Sequence, residues 1–341
     1  MNTMNSPLLA NSKIYVAGHR GLAGSAIVRR LEREGCSKVL VRSHQELDLT
    51  DQAAVASFFA KERPEHVFLA AAKVGGILAN NTRPAEFIHE NLAIQTNVIQ
   101  AAYDVGVRRL LFFGSSCIYP RDCPQPIREE YMLTGPLEST NRPYAVAKIA
   151  GVEMCWAFNR QYGTRYISAM PTNLYGPNDN YDLAGSHVLP ALLRKMHEAK
   201  LVGASEVVVW GTGNVRREFL HSDDMADACV FLMKLSDDAY GPIAASESQA
   251  PLLNIGCGED LTVQELAELI RDVVGFEGRL VFDTSKPDGT PRKLLDVSRM
   301  KELGWHAGTS LRKGLTAVYR EYSDILTTAE SPAVRMSARY V

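Results

Sequence analysis

A glycine-rich turn between an apolar segment and a helical pattern constrains the fold of this chain most strongly. The apolar segment KIYVAG covers residues 13–18, and a helical pattern covers residues 22–34. Gly18, Gly21 and Gly24 follow one another at GxxGxxG spacing across this junction. Glycine lets the backbone turn tightly and approach a phosphate, while the helix N-terminus directs free N–H groups at that anion. Between a strand and a helix, this spacing predicts a dinucleotide-binding site rather than an ordinary loop.

The order of apolar and helical segments predicts the fold class. Strands are predicted at 13–18, 38–42, 66–72, 109–116 and 166–172, and helices at 22–34, 51–62, 85–105 and 143–162. Such alternation is typical of a parallel sheet covered on both faces, so we predict an α/β fold with a Rossmann-type doubly wound parallel sheet. We expect a dinucleotide-binding domain at 13–175, completed by later segments, and a smaller C-terminal α/β substrate lobe at 176–326. Residues 1–12 and 327–341 are predicted to be loose termini.

The end of the second predicted strand indicates which dinucleotide binds. NAD sites usually carry an acidic residue there to hold the ribose hydroxyls. Here the segment reads Arg42, Ser43, His44, and Arg20 lies inside the glycine turn. Two arginines suit a 2′-phosphate, so we predict NADP(H), with a solvated strand end as the alternative reading of Arg42. Asp48 lies too far along the chain to hold the ribose and is expected near the adenine ring.

A tyrosine and a lysine form a candidate catalytic pair. Tyr144 and Lys148, in YAVAK, are four residues apart and lie on one face of a predicted helix. An ammonium beside a phenol lowers the phenol pKa, so Tyr144 can exchange a proton with a sugar oxygen during hydride transfer. Lys148 can also bond the nicotinamide ribose, and Ser115 or Ser116 can bond the reacting oxygen. YxxxK alone is common by chance, and its meaning here depends on the glycine turn upstream.

In this order, the GxxGxxG, GSS and YxxxK motifs resemble the extended short-chain dehydrogenase/reductase family, whose members act on nucleotide sugars. Longer segments between about residues 13 and 310 resemble the GDP-L-fucose synthase family within it: GHRGLAGSAI, AAAKVGGI, NNTRPAEF, GSSCIYP, NRPYAVAKIAG, PTNLYGPNDN, SHVLPALLRK, REFLHSDDMA and KPDGTPRKLLD. The resemblance implies NADPH-dependent conversion of GDP-4-keto-6-deoxy-D-mannose to GDP-L-fucose. Carbons 3 and 5 are epimerised first, and the ketone at carbon 4 is then reduced. The resemblance also implies a homodimer paired through the helices at 85–105 and 143–162.

The same resemblance implies roles for individual residues. The catalytic residues are Ser115, Cys117, Tyr144, Lys148 and His187. The cofactor-binding residues are Gly18, Arg20, Gly21, Gly24, Arg42, Asp48, Leu49, Ala71, Lys148, Pro171, Asn173, Leu174 and His187. The substrate-binding residues are Asn173, Lys195, Trp210, Arg217, Asp288 and Lys293. His44 departs from the family pattern, in which an arginine is common near the 2′-phosphate, and this leaves the strength of the NADP preference open.

Cys117 and His187 fit the chemistry of epimerisation. Inversion beside a ketone needs a base on one face of the sugar and an acid on the other, which simple reduction does not. Ser115 and Cys117 face the same side if the strand stays extended. A thiol with a pKa of about 8.5 can deprotonate such a carbon, and an imidazole with a pKa of about 6.5 can supply the opposing proton. The alternative reading is a packed thiol and a helix-capping histidine.

Composition argues against several other classes. The net charge of −2 gives no overall positive field for nucleic acid or an anionic membrane. The six cysteines form no CxxC pair, so we expect neither a metal nor a disulfide framework. The chain shows no signal-peptide pattern and no apolar run of membrane-spanning length, which predicts a cytoplasmic protein. Two other functions stay open: a nucleotide-sugar 4-reductase or 4-epimerase without inversion at carbons 3 and 5, and a non-catalytic NADP-sensing regulator.

Overall fold

The computed structural model describes residues 9–183, 185–286 and 288–330. Its strands are β1 (Ile14–Ala17), β2 (Val39–Leu40), β3 (His66–Leu69), β4 (Arg109–Phe113), β5 (Tyr166–Pro171), β6 (Asn173–Tyr175), β7 (Glu206–Trp210), β8 (Arg216–His221), β9 (Leu252–Ile255), β10 (Asp260–Thr262), β11 (Arg279–Asp283) and β12 (Arg292–Lys293). Its α-helices are α1 (Leu22–Arg33), α2 (Gln52–Glu62), α3 (Ile77–Thr82), α4 (Pro84–Asp104), α5 (Arg142–Tyr162), α6 (Val188–Leu201), α7 (Ser222–Lys234), α8 (Asp237–Ala244), α9 (Val263–Val274), α10 (Ser298–Glu302) and α11 (Leu311–Glu330). Short 3-10 helices cover Ser116–Ile118, Glu129–Tyr131 and Ser139–Asn141.

A parallel sheet of six strands forms the centre of the molecule, in the order β2-β1-β3-β4-β5-β9. Strands β1, β3, β4 and β5 are buried along their whole length, as expected when helices cover both faces. The predicted α/β class and doubly wound parallel sheet are therefore confirmed. The chain adds β2 on one side of β1 and β3 on the other side. A crevice therefore forms between the carboxyl ends of β1 and β3.

Two apolar layers cover the faces of this sheet. Alternate residues of β1 point into opposite layers, with Val16 on the side of α1 and α7 and Tyr15 on the side of α2 and α4. Both α7 and β9 come after residue 175, so later segments complete the sheet and one of its layers. The domain boundary at residue 175 stays a prediction.

A second apolar core lies in the C-terminal half of the chain. It is built from α6, α9 and α11 together with β7, for example Leu193, Ile270 and Leu315. Strand β8 pairs in parallel with β6 and β12 and antiparallel with β10, and β7 pairs in parallel with β11. Since only Thr172 separates β5 from β6, this smaller sheet begins at the carboxyl end of the main sheet.

The predicted ends of the chain differ in part from the structure. Residues 1–8 and 331–341, assigned to loose termini, lie outside the described residues. Leu9, however, is buried and belongs to the core of the main sheet, and α11 continues to Glu330. Ordered chain therefore extends beyond the predicted limits of residues 13 and 326.

The end of the fourth strand also differs from the prediction. β4 stops at Phe113, and Ser116–Ile118 form a turn of 3-10 helix. The backbone N–H of Ile118 closes this turn by donating to the carbonyl oxygen of Ser115 at 3.1 Å, and the hydroxyl of Ser115 accepts a long hydrogen bond of 3.5 Å from the N–H of Cys117. The strand therefore does not stay extended, which was the condition for Ser115 and Cys117 to face the same side of it. The turn nevertheless keeps the two side chains close together.

Candidate active site

The glycine turn is packed tightly against the end of β3. Gly18 has a φ of +85°, and a Cβ on it would lie 2.7 Å from the backbone nitrogen of Ala71. A Cβ on Gly24 would lie 2.1 Å from the carbonyl oxygen of Gly18. Gly21 is the N-cap of α1 and has no side chain that could accept from the first backbone N–H groups of the helix. Those N–H groups are therefore free to bind a ligand. Nδ1 of His19 is buried and has no hydrogen-bond partner. The free N–H groups can donate to a pyrophosphate, and the glycines leave room for it to approach the backbone at this helix N-terminus.

We expect Gly24→Ala to open this turn, whereas Gly21→Ala leaves it intact. The added methyl at Gly24 meets backbone atoms that cannot rotate away, so the free energy of unfolding should fall by about 1–3 kcal/mol. At Gly21 the nearest atom is 3.6 Å away and φ is −80°, so alanine fits there without strain. Urea unfolding of both variants checks this. Equal stability of the two variants would contradict it.

The region expected to bind the adenosine ribose contains one unpaired arginine. Among the described residues, no ion pair involves Arg20, which is exposed beside the glycine turn. Arg42 lies 3.2 Å from Glu62 and 5.3 Å from the ring centroid of Phe58, so part of its charge is already matched. Asp48 accepts hydrogen bonds from the N–H and hydroxyl of Thr50. Arg20 is thus the cation most available for a 2′-phosphate.

The predicted catalytic side chains come together at the carboxyl end of β4. Tyr144 and Lys148 lie on α5, with Nζ of Lys148 5.9 Å from the Tyr144 ring centroid. Burial raises the pKa of Tyr144 well above its usual value, the nearby thiol of Cys117 raises it further, and a hydrogen bond with Ser115 lowers it. Nζ of Lys148 donates to the carbonyl oxygen of Phe113, at 2.7 Å, and the lowering of the Tyr144 pKa by Lys148 stays a prediction.

Lys148 is a buried cation that forms no ion pair with a carboxylate in the part of the chain that the structure describes. It is 2% exposed, and burial lowers its pKa to about 8, while the Cys117 thiol raises it. In the unfolded chain the same group keeps its proton up to about 10.5. Below about pH 8 the fold therefore carries the cost of a buried ammonium, on the order of 3 kcal/mol, and this cost shrinks as the pH rises towards 10.5.

We expect Lys148→Met to separate stability from activity. Without cofactor at about pH 7, the variant should unfold at the same or a higher temperature, since the hydrogen bond it loses is worth only about 1 kcal/mol. The difference from wild type should become smaller at about pH 9.5, where the wild-type lysine is largely neutral. Turnover should fall at least about 100-fold. Calorimetry at the two pH values and a turnover assay check this; a clearly less stable variant at neutral pH would contradict it.

Cys117 and His187 both lie within the electrostatic reach of Lys293. Burial raises the pKa of the Cys117 thiol, while the charges of Lys293 and Lys148 and a hydrogen bond with Ser115 lower it. Burial, followed by the charge of Lys293, lowers the pKa of His187, which stands at the N-cap of α6 without capping it. A small cavity beside Cys117 is lined by Lys293 and Glu138 among others. The histidine is therefore free of the structural role that the alternative reading gave it.

A second group of predicted residues lies on the smaller sheets and their loops. Trp210 is 59% exposed, with Nζ of Lys195 5.1 Å and Nζ of Lys286 5.6 Å from its ring centroid. The carboxylate of Asp288 accepts from the N–H and hydroxyl of Thr212, at 2.8 and 2.9 Å. These contacts place an exposed aromatic face among cations, beside a loop fixed by Asp288.

The remaining predicted residues lie on β5, β6 and β8 and in the segment after β2. Arg217 donates to the carbonyl of Asp288 at 3.4 Å, and the amide of Asn173 donates to the carbonyl of Glu218 at 2.8 Å. Pro171 ends β5 and Leu174 lies in β6, while Leu49 is buried after β2. Sequence reasoning missed Lys286, although it is the first residue of the KPDGTPRK segment. It also missed the buried carboxylate of Glu218, which no local pattern marks.

The fold and the site together define a dinucleotide-dependent α/β enzyme whose chemistry takes place at a carbon–oxygen group. The profile of the NAD dependent epimerase/dehydratase family matches residues 14–243, and the chain belongs to this family. GDP-L-fucose synthase 1 of Arabidopsis thaliana is 59% identical over 312 residues, which cover 92% of this chain and 93% of that protein. GDP-L-fucose synthase of Escherichia coli (strain K12) is 53% identical over 315 residues, covering 92% and 97%. The predicted resemblance is confirmed.

A solved structure agrees with this assignment. GDP-mannoheptose C4 reductase from Campylobacter jejuni, with NADP bound, aligns with a TM-score of 0.84 and 42% identity over 92% of this chain and 99% of that one. Within the described ranges, no helix is long and apolar enough to cross a bilayer. In the same part of the chain, His, Cys, Asp and Glu form no cluster of three or more suited to a metal ion.

Proposed function

We propose that this protein converts GDP-4-keto-6-deoxy-D-mannose to GDP-L-fucose with NADPH, epimerising carbons 3 and 5 before reducing the ketone at carbon 4. The observation that carries the proposal is the Cys117 thiol, which lies in one cluster with Ser115, Tyr144 and Lys148. A simple reductase needs only the other three. The relatives named GDP-L-fucose synthase support the substrate, and the NADP-bound neighbour supports the cofactor.

The reduction uses the groups around Tyr144. The glycine turn would hold NADPH, with Arg20 near its 2′-phosphate, and the bound cofactor would supply the hydride. Ser115 and Tyr144 bond the ketone oxygen, and Tyr144 donates its proton as negative charge develops there. Because burial keeps the Tyr144 pKa high, the phenol is protonated and ready to donate at neutral pH. The ammonium of Lys148 adds positive charge beside the developing alkoxide.

The epimerisation uses Cys117 and His187. The thiolate of Cys117 removes a proton from the carbon beside the ketone, and the C–H electron pair moves into the enolate. Ser115 and Tyr144 hydrogen-bond the enolate oxygen, which makes the carbon acidic enough to react. His187 then returns a proton to the opposite face. Two lysines near the sulfur, Lys148 and Lys293, favour its charged form.

We expect solvent exchange at carbons 3 and 5 to be nearly independent of pH over a wide neutral range. With the Cys117 pKa raised and the His187 pKa lowered, the pair holds one proton at neutral pH, on sulfur. The reactive pair, thiolate and imidazolium, contains the same number of protons, so its fraction does not change with pH between the two pKa values. Exchange should fall in acid, below the lowered His187 pKa, and in alkali, above the raised Cys117 pKa. A slope of one throughout the neutral range would contradict this pairing.

The cations of the second group fit the GDP portion of the substrate. Arg217, Lys195 and Lys293 can neutralise the diphosphate, and burial lowers the pKa of each in the protein without ligand. Trp210 offers its exposed face to the base or the sugar. Asn173 stands where β5 passes into β6, and its side-chain amide reaches Glu218, the residue that follows Arg217. The substrate would therefore extend from Tyr144 towards Trp210.

A C4 reductase without epimerisation is the second candidate, because a GDP-mannoheptose C4 reductase is among the structural neighbours. Turnover of GDP-4-keto-6-deoxy-D-mannose and NADPH in deuterated water, followed by NMR of the sugar, separates the two. GDP-L-fucose with deuterium at carbons 3 and 5 is the expected product. A reduced sugar without deuterium at either carbon would leave only the reductase.

We also infer a homodimer formed by α4 and α5. These two helices pack against each other, yet Val146 and Tyr162 on α5 remain 39% and 46% exposed. Tyr162 stacks on Tyr103 of α4, with ring centroids 4.4 Å apart, which extends the apolar surface across both helices. Light scattering should give twice the mass of the chain, and Val146→Arg should shift the protein towards monomer.

A reducing compartment such as the cytoplasm suits the proposed chemistry. All six cysteines lie in the described residues, and none forms a disulfide. Cys117 must remain a thiol to act as a base, and such thiols persist where glutathione keeps proteins reduced. Detection of the protein in soluble cytoplasmic fractions, rather than in exported ones, checks this inference.

A further inference from the structure

A carboxylate without a cation is buried beneath the substrate-binding residues. Glu218, on β8, is 0% exposed, and no ion pair among residues 9–183, 185–286 and 288–330 includes it. Burial raises the pKa of its carboxyl, and the surrounding N–H groups lower it. A buried carboxylate in such a position is unfavourable unless its oxygens are hydrogen-bonded. The hydrogen-bond partners of the carboxylate therefore indicate why a glutamate is buried at this position.

The two carboxylate oxygens hold two separate loops. Oε1 accepts from the backbone N–H of Gly258 at 2.7 Å, and Oε2 accepts from that of Leu295 at 2.9 Å. A Cβ on Gly256 would lie 2.2 Å from Oε1, so the loop after β9 approaches the carboxylate as closely as only glycine allows. The carboxylate thus fixes the loop that follows β9 to the segment that follows β12.

The segment fixed at Leu295 carries a predicted substrate residue and contacts the loop after Cys117. Lys293 is two residues before Leu295 and lies opposite Arg217 in the β8–β12 register. Ile127 donates to the carbonyl of Leu294 at 2.7 Å and accepts from the N–H of Asp296 at 2.8 Å. A shift of Leu295 would therefore move Lys293 and disturb the segment that leads back to Cys117.

The main chain of Glu218 holds the start of β6, next to the segments that its carboxylate holds. Its carbonyl oxygen accepts from the amide of Asn173 at 2.8 Å and from the hydroxyl of Thr172 at 3.2 Å. Its neighbour Arg217 reaches the carbonyl of Asp288. One buried residue thus lies at the junction of the segments that carry Asn173, Arg217 and Lys293.

We propose that Glu218 is a positioning residue whose carboxylate sets Lys293, and with it the neighbouring Arg217, in place for the GDP-sugar before it binds. The inference rests on the proposed function for the identity of the sugar, but the contacts that it invokes concern the GDP portion. Only a carboxylate can accept from both loops. A glutamine in its place would point its NH₂ group at one of the two backbone N–H groups, and two donors cannot form a hydrogen bond. Preset cations lose less conformational freedom when they bind a diphosphate, so loosening them should weaken binding.

The test compares Glu218→Gln with Asp224→Asn. Asp224 also joins two segments through a carboxylate, accepting from the N–H and hydroxyl of Thr309, but it does not hold the substrate-binding segments. Glu218→Gln should raise the KM for the GDP-sugar and the Kd for GDP at least about 10-fold, while the Kd for NADPH changes less than about twofold. Asp224→Asn should lower stability without changing either GDP constant.

Binding of GDP alone, measured by calorimetry, keeps this proposal separate from the proposed function. If the wild type binds GDP but does not turn over GDP-4-keto-6-deoxy-D-mannose, only the function fails. Glu218→Asp, which withdraws the carboxylate by one methylene, is measured alongside and replaces Glu218→Gln if that variant does not fold. Unchanged GDP affinity in the folded variant, with activity lost only in proportion to unfolded protein, would overturn the proposal and leave Glu218 a purely structural residue.

Discussion

Cys117→Ser should lose epimerisation while it keeps its fold and its cofactor site. We expect deuterium incorporation at carbons 3 and 5 to fall by about 10²–10⁴-fold, the usual worth of a general base. A serine hydroxyl is similar in size to the buried thiol, but it gives up its proton far less readily. The Ser115 hydroxyl and the backbone N–H of residue 117 keep their positions, so the site should not collapse. NMR of the sugar after reaction in deuterated water measures the loss directly.

Cys123→Ser is the matched control for this experiment. Cys123 is half-buried six residues further along, and its thiol also interacts with the charge of Lys293. Its replacement should leave incorporation at carbons 3 and 5 within about twofold of wild type, because it has no place in the proposed chemistry. NADPH binding should be the same in both variants. Undiminished incorporation in Cys117→Ser would show that another group is the base.

Tyr144→Phe should affect the two half-reactions unequally. We expect the reduction at carbon 4 to slow by about 10²–10⁴-fold, because the variant cannot donate a proton to the developing alkoxide. Exchange at carbons 3 and 5 should slow only about 10-fold, because Ser115 still bonds the enolate oxygen. Partly deuterated, unreduced keto sugar should therefore accumulate. NADPH oxidation followed by absorbance, alongside NMR of the sugar, measures the two rates separately.

The control is Tyr103→Phe, which removes the same hydroxyl from an aromatic cluster on α4. Tyr103 packs against Phe158 and Tyr162, away from the catalytic cluster, so both rates should stay near those of wild type. Equal slowing of reduction and exchange in Tyr144→Phe would point instead to a general disturbance of the site. A reduction rate like that of wild type would remove Tyr144 from the proton transfer.

Much of the fold follows from short-range patterns in the chain. The strands β1, β3, β4 and β5 were predicted from apolar runs, and the glycine spacing placed a tight turn before α1. These features depend on side-chain volume, backbone freedom and the periods of helix and strand, which neighbouring residues specify. The four-residue spacing of Tyr144 and Lys148 also placed them on one helical face without any knowledge of the sheet.

The conformation of the loop after β4 could not be predicted from neighbouring residues alone. The apolar run predicts a strand through Ser116, but the N–H groups of Ile118 and Cys117 donate to the carbonyl and hydroxyl of Ser115 and the chain turns into a 3-10 helix. A serine side chain can satisfy a backbone donor and so compete with the strand ladder, and which of the two wins depends on the neighbouring strand. β5 pairs with β4 only as far as Phe113, and the N–H of Gly114 still donates to the carbonyl of Ala169. Beyond that point, no ladder bond among the described residues holds Ser115 or Ser116 extended.

The sequence by itself determined the glycine turn, the order of strands and helices and the residue types available for catalysis, because these depend on local stereochemistry. Only the tertiary structure decided how those residues are paired. Lys148 turns to the carbonyl of Phe113, and Arg42 lies against Glu62. Glu218 binds loops that follow β9 and β12, and Gly258 and Leu295 lie 40 and 77 residues away from it in the chain. The pKa of a side chain depends on its burial and on the groups around it, and its hydrogen-bond partners are the groups that the fold brings within reach. Those groups can be far apart in the chain, so the local sequence does not predict them.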